Sequence, residues 1–377
     1  MPNMYSIKMI KIGDRLIGKG QPVFIIAEAG VNHNGSFDLA LKLIDSAAEA
    51  GADAVKFQTF RAEQVVTSAG KMADYQKRNI GKEDSQIEML RGLELKEDWY
   101  PALISRAKER GIIFISTPHG GIESVDLLES YNVPAFKFGS GDLTNLPLLE
   151  YAAKLGKPML ISTGMSNLEE VKEAVRAVKK AGNEQILVFH CTTDYPCAPE
   201  FVNLRAMQSF MRELGTAVGY SDHTTGYQAS ALAVALGACM FEKHFTLDRN
   251  MNGPDHVAST EPKEFKEMVT ALKKMPEDFE KAVQIMGMTS EAAEVLMGSP
   301  KKKPLLPELQ YMSVARKSVV AFRDIKAGEI FSAENLAIKR PGTGILPKHF
   351  YKIIGTVAKV DIQKDELLQR KHITEVF

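Results

Sequence analysis

The sequence predicts a (β/α)8 TIM barrel, an α/β fold, followed by a small β-rich domain, and three observations carry this reading. The first is a set of eight short apolar runs: VFIIAE (23–28), DAVKFQ (53–58), IIFIST (112–117), AFKFGS (135–140), PMLIST (158–163), ILVFH (186–190), TAVGYS (216–221) and CMFEKH (239–244). They are nearly continuous in apolar character, as strands covered on both faces are. The second is what separates them: amphipathic helical stretches such as FDLALKLIDSAAEA (37–50), WYPALISRAKER (99–110), NLEEVKEAVRAVKKA (167–181) and YQASALAVAL (227–236). The third is punctuation. Gly51, Gly111, Gly156, Gly182, Gly215 and Gly237 each stand where a helix must end before the next strand. Eight such units in about 250 residues match the size of the barrel. A doubly wound open sheet is the alternative, but AEAGVNHNG follows the first run where that fold would place GxGxxG.

The pattern changes after residue 274. We read 1–274 as the barrel, 275–312 as a linker with helical pieces, and 313–377 as the small domain. In the linker Lys301–Lys303 lie between prolines and read as a solvated, extended stretch. From Ser313 short alternating runs return, as in SVVAFRDI and IIGTVAKVDIQKDEL. So short a chain has a marginal core and is expected to lean on something else.

Of 377 residues, 47 are Lys or Arg and 47 are Asp or Glu, so the net charge is zero. This balance gives no reason to expect nucleic acid or an anionic membrane as a partner, and any bound anion must be met by a local cluster of donors. The three cysteines are odd in number and form no CxxC pair, which argues against a disulfide framework or a structural zinc site. The N-terminal stretch lacks the apolar core of a leader, and no run reaches the ~18 apolar residues of a membrane span. The expectation is a soluble, cytoplasmic protein.

In a (β/α)8 barrel, reactive residues gather at the C-terminal ends of the strands. Here those ends carry Glu28; Lys56 and Gln58; Thr117; Lys137 and Ser140; Ser162; His190, Thr193 and Tyr195; Ser221 and His223; and His244. Two lysines among apolar neighbours are costly unless an anion meets them. Together with the hydroxyls of Thr117, Ser140, Ser162 and Ser221 they suit a phosphate and a carboxylate held side by side. A single lysine forming a Schiff base with a carbonyl is the rival use. His223 and His244, ending neighbouring strands, can hold a divalent metal or serve as hydrogen-bonding core residues. Glu28 could be a third ligand or orient a metal-bound water. His33, in the first loop, is expected to face the same site.

These residues lie in motifs that resemble the sialic acid (nonulosonic acid) synthase family: AEAGVNHNG (27–35), GADAVKFQTF (51–60), ISTPH (115–119), FKFGSGDLTNLPLL (136–149), LISTGM (160–165), HCTTDYP (190–196), GYSDHT (219–224), EKHFTL (242–247) and GPDHVAS (253–259). The C-terminal part (318–342) is similar to the antifreeze-protein-like SAF domain that follows the barrel in that family. The resemblance implies condensation of phosphoenolpyruvate with an N-acylated mannosamine-type sugar and water, giving a nonulosonic acid and phosphate by C–O cleavage. It implies that Lys56, Thr117, Lys137, Ser140, Ser162, Thr193 and Ser221 hold phosphoenolpyruvate. His223 and His244 would bind a divalent metal, Mn2+ or Mg2+. Gln58, Asp142, Tyr195 and Asp255 would line the sugar pocket. Arg340 would reach the sugar's acyl group from the partner's small domain in a domain-swapped homodimer. The implied catalytic set is Glu28, Lys56, Lys137, His223 and His244.

Two positions depart from the pattern of many sialic acid synthases, which carry Glu in place of Asp142 and Asn in place of Thr193. Both changes bear on the sugar, leaving N-acetylmannosamine and 2,4-diacetamido-2,4,6-trideoxymannose as the substrates to separate. Other readings are a 3-deoxy-octulosonate-phosphate-type condensing barrel and a non-catalytic SAF-domain carbohydrate-binding or assembly protein. The first lacks the SAF-like domain; the second would not need both lysines, both histidines and Glu28.

Overall fold

A computed structural model describes residues 9–81 and 85–374; the outermost residues of both predicted domains lie outside this range. A short antiparallel hairpin, β1 (Ile10–Ile12) and β2 (Arg15–Ile17), comes first. The eight predicted strands then follow as β3 (Phe24–Gly30), β4 (Ala54–Thr59), β5 (Ile113–Pro118), β6 (Phe136–Phe138), β7 (Met159–Ser162), β8 (Ile186–Cys191), β9 (Ala217–Asp222) and β10 (Met240–His244). They form a closed barrel of parallel strands in sequence order, with β10 pairing back onto β3. Gly51 and Gly111, ending two of the helices, take φ of +85° and +74°, a conformation that costs glycine little.

Period-two alternation divides the barrel side chains. Odd steps such as Ile25, Val55, Val188 and Phe241 point out and join the helices in the main apolar core. The alternate steps point in. Phe24, Ile26, Ala54, Ile115, Ala135, Leu160, Leu187, Phe189, Ala217 and Met240 fill the lower interior, and Ile10, Ile12 and Ile17 of the hairpin pack against them. The base of the barrel is therefore sealed by apolar side chains. Parity also moves one expectation: His190 points outward, giving Nε2–H to the Val202 carbonyl at 2.7 Å, and does not face the mouth.

The segment expected as a linker carries helices at Phe279–Ile285, Ser290–Met297 and Leu306–Ala315. Its lysine run is not uniformly solvated, because Lys302 is buried and donates to the Cys191 carbonyl at 2.9 Å. Beyond it β11 (Ser318–Ala321) and β12 (Leu336–Lys339) pair antiparallel over a small core of Val319, Phe331, Ile353 and Ile362. This domain leans on its own barrel: Thr67 donates to the Arg340 carbonyl, and Arg340 donates to the Val65 carbonyl. No helix among the described residues is long and apolar enough to cross a membrane.

Candidate active site

The same inward parity that fills the lower barrel with apolar groups fills its upper end with charge. Two residues above Ile26 is Glu28, above Ala54 is Lys56, above Ala135 is Lys137, and above Met240 is Glu242. Register places Glu28 beside Lys56 and Glu242 beside Ser221. The four charges form one buried network. Lys56 pairs with Glu28 and lies 3.7 Å from Glu242, while Lys137 lies 3.2 Å from Glu242. Hydroxyls complete it. Lys56 donates to Thr117 at 3.1 Å, Lys137 donates to Ser162 at 2.7 Å, and Ser221 donates to Glu242 at 3.0 Å.

Burial sets the electrostatics. Loss of water pushes the Glu28 carboxyl up, against the pull of Lys56 and with the push of Glu242, to about 7. Burial raises Glu242 as well, but the ammonium groups of Lys137 and Lys56 outweigh it and hold that carboxyl low. Burial also lowers Lys137, with Lys56 adding like-charge repulsion. Full ionisation makes the network neutral, and a proton on Glu28 leaves it one positive charge. That arrangement receives an anion without stranding a buried cation.

These groups open into one cavity. It is lined by every residue of the implied catalytic, phosphoenolpyruvate and sugar sets except one: Gln58, Ser140, Thr193, Tyr195, His223, His244, Asp255 and Arg340 join the network residues there. The exception is Asp142. It is 1% exposed and points away, 2.8 Å from Lys317 and 3.3 Å from Nδ1 of His119. Lys317, equally buried, also donates to the His119 carbonyl. The short aspartate is thus consumed in docking the small domain, and His119 and Gly139 line the cavity near it. His33 is also displaced from the expected site. It accepts the Gly35 N–H at 3.1 Å and packs on Phe57 and Trp99.

The two histidines are brought together, with ring centroids 5.6 Å apart. The Tyr195 ring lies 4.2 Å from that of His223 and edge-on to His244 at 5.5 Å. His223 gives Nδ1–H to the Thr192 carbonyl at 2.6 Å, which orients the ring with Nε2 as its other nitrogen; burial lowers its affinity for a proton, but Cys191 and that carbonyl outweigh burial and raise it above the ordinary value. Nδ1 of His244 is buried and has no hydrogen-bond partner, and burial followed by the nearby His223 holds that imidazole neutral. Two oriented imidazoles, with His223 giving up its Nε2 proton on binding, suit a divalent cation whose remaining positions are taken by water or substrate oxygens. Among the described residues no group of three or more His, Cys, Asp or Glu side chains is arranged to hold a metal. Glu28, committed to Lys56, is not gathered with the histidines as a third ligand.

Several cavity residues escaped the sequence reading. Glu242 was legible by parity, since His244 facing inward puts the residue two before it on the same face. Tyr311, Val314 and Ala315 line the cavity from the helix Leu306–Ala315, and no local pattern announces them.

Comparison with known proteins agrees with this architecture. Residues 43–284 match the NeuB family, and residues 316–374 match the SAF domain. The chain belongs to the NeuB family. It is 46% identical to the N,N'-diacetyllegionaminic acid synthase of Campylobacter jejuni, over 92% of this chain and 98% of that protein. It is 41% identical to the protein of the same name from Legionella pneumophila, over 94% of this chain and 96% of that one. Among solved structures, a spore coat polysaccharide biosynthesis protein of Bacillus subtilis superposes with a TM-score of 0.82 at 36% identity, covering 98% of this chain and all of that one.

Proposed function

We propose that this NeuB-family enzyme condenses phosphoenolpyruvate with 2,4-diacetamido-2,4,6-trideoxymannose and water, forming N,N'-diacetyllegionaminate and releasing phosphate. The observation that carries the reaction is the four-charge network under a ring of hydroxyls. Its lysines and serines suit a ligand that is both phosphate and carboxylate. The names of the two legionaminic acid synthase relatives support the choice of sugar. So does Asp142, which is turned away from the cavity and offers the sugar no carboxylate.

Lys56 and Lys137 hold the dianionic end and stabilise charge as the phosphate leaves. Ser162 and Thr117, each already donated to by a lysine, have their own O–H free to turn toward the ligand. His223 and His244 would hold a divalent cation, whose chemistry there would be Lewis-acid polarisation of the sugar's aldehyde. Tyr195, tilted against His223, and Arg340, which lines the same cavity, border the space left for the sugar. Glu28, with a carboxyl near neutral in affinity for protons, is placed to exchange one as charge moves through the network.

The test is phosphate release from phosphoenolpyruvate by the purified protein, with EDTA and then with Mn2+, against both candidate sugars. Metal-dependent release with the diacetamido sugar and not with N-acetylmannosamine is expected. Release with N-acetylmannosamine alone would make the product N-acetylneuraminate. Absence of release with either would overturn the reading.

A further inference from the structure

The turns that carry Ser140 and Thr193, and the one that follows Ser162 at the end of β7, are held from one side by a single helix, Leu306–Ala315. Glu308 of that helix is fully buried. Its Oε1 accepts the backbone N–H of Met165 at 2.6 Å and of Thr193 at 2.8 Å, and its Oε2 accepts the N–H of Leu305 at 2.9 Å. The first two donors belong to different loops, one after β7 and one after β8. Met165 is also gripped by its other peptide end, since Arg316 donates to its carbonyl at 2.7 Å and pairs with Glu170 at 2.9 Å. The grip matters because Met165 takes φ of +60°, a left-handed conformation unfavourable to a side chain of its size.

The next steps lead to the cavity. Gly164 gives its N–H to Ser140 Oγ at 2.9 Å, and a Cβ on Gly164 would collide with Thr193 Oγ1 and Ser140 Oγ. A Cβ on Gly141 would lie 2.5 Å from the Ala315 carbonyl oxygen, so the Ser140 turn rests directly on the same helix. Three hydroxyl-bearing loops from three strands therefore share one support, built around a carboxylate more than a hundred residues away in sequence.

We propose that Glu308 is a positioning residue for the anion end of the cavity. By tying the Met165 and Thr193 amides together it fixes the spacing of Ser162, Thr193 and Ser140 around the phosphate. This rests on the reading that phosphoenolpyruvate occupies that end. Glu308 touches no substrate, and its effect falls on one substrate only.

The experiment is steady-state kinetics of Glu308→Ala, Glu308→Asp and Glu308→Gln, with each substrate varied in turn. Alanine removes both acceptor oxygens and with them all three hydrogen bonds. Aspartate keeps the charge but withdraws it by one methylene. Glutamine keeps an oxygen for the Met165 and Thr193 amides and loses only the Leu305 bond. The expected result is a rise of about tenfold or more in KM for phosphoenolpyruvate in Glu308→Ala, a smaller rise in Glu308→Asp, and near recovery in Glu308→Gln. KM for the sugar stays within about threefold throughout. Amide exchange over residues 160–168 and 188–196 quickens in the same order. If the alanine variant does not fold, the aspartate and glutamine variants give the ranking. An unchanged KM for phosphoenolpyruvate in the folded aspartate variant, or equal rises for both substrates, would overturn the proposal. Wild-type protein that does not turn over phosphoenolpyruvate would overturn the functional reading and this inference with it; a failure confined to the variants strikes the inference alone.

Discussion

The lower and upper halves of the barrel interior are made by the same strands in the same register, yet they obey opposite rules. Below, Phe24, Ile26, Leu187 and Met240 bury apolar surface and hold the barrel closed. One pleat higher, Glu28, Lys56, Lys137 and Glu242 bury charge that water would solvate better. Burying ion pairs is neutral or costly for stability compared with apolar groups of the same volume. The lower layer must therefore carry the fold, and the upper layer is retained for what it binds. A two-residue step along a strand separates the two roles.

The comparison can be broken most forcefully at Lys137. Lys137→Met leaves Glu242 with one cation instead of two and is expected to lower turnover by about a thousandfold, read as phosphate release. Leu187→Ala should do the reverse. It leaves a cavity in the lower layer and costs about 3 kcal/mol in denaturant unfolding, while kcat per folded molecule stays near wild type. If Leu187→Ala lost activity in proportion to Lys137→Met, the division into two layers would fail.

Acid sharpens the contrast, because buried histidines outside the charge network also depend on remaining neutral. Burial lowers His33 to about 4, with repulsion from His256 adding to it, and lowers His190 to about 3, with Lys302 adding to it. Both are depressed below the ordinary value near 6.5, so the unfolded chain binds these protons first. Their contribution to stability is full above that value and is lost as pH falls toward 4. Each should tilt the unfolding free energy by about 1.4 kcal/mol per pH unit in that window. Replacing His190 by Asn should remove its share of the slope. The smallest expected effect is the most diagnostic. In the double variant Glu28→Gln with Lys56→Met, the unfolding free energy should change by less than about 1 kcal/mol or rise, although activity is lost. A large destabilisation would show that the upper layer also holds the fold together.

Periodicity made the barrel legible. Eight runs with helices between them leave few topologies, and the strand ends named Glu28, both lysines, both histidines and the serine and threonine hydroxyls that line the cavity. Glu242 lay within reach of the same argument, since it shares the parity of His244. Asp142 and Glu308 did not. Asp142 sits among motif residues, but its direction is decided by Lys317, 175 positions later, and a short side chain cannot serve both the small domain and the cavity. Glu308 looks like one more acid on a solvent-facing helix. Only the folded chain shows that three amides point at it. Contacts made across such separations leave no period in the sequence to read.

The hairpin β1–β2 has a consequence for traffic. With Ile10, Ile12 and Ile17 stoppering the base, the described residues close the barrel at its lower end and leave the upper end as its mouth. On the function proposed above, a molecule seated on Lys137 and Ser162 would lie deeper than one held between Tyr195 and Arg340, and the deeper guest would have to come first. Order of arrival and departure would then follow from the shape of the vessel, before any difference in affinity is considered.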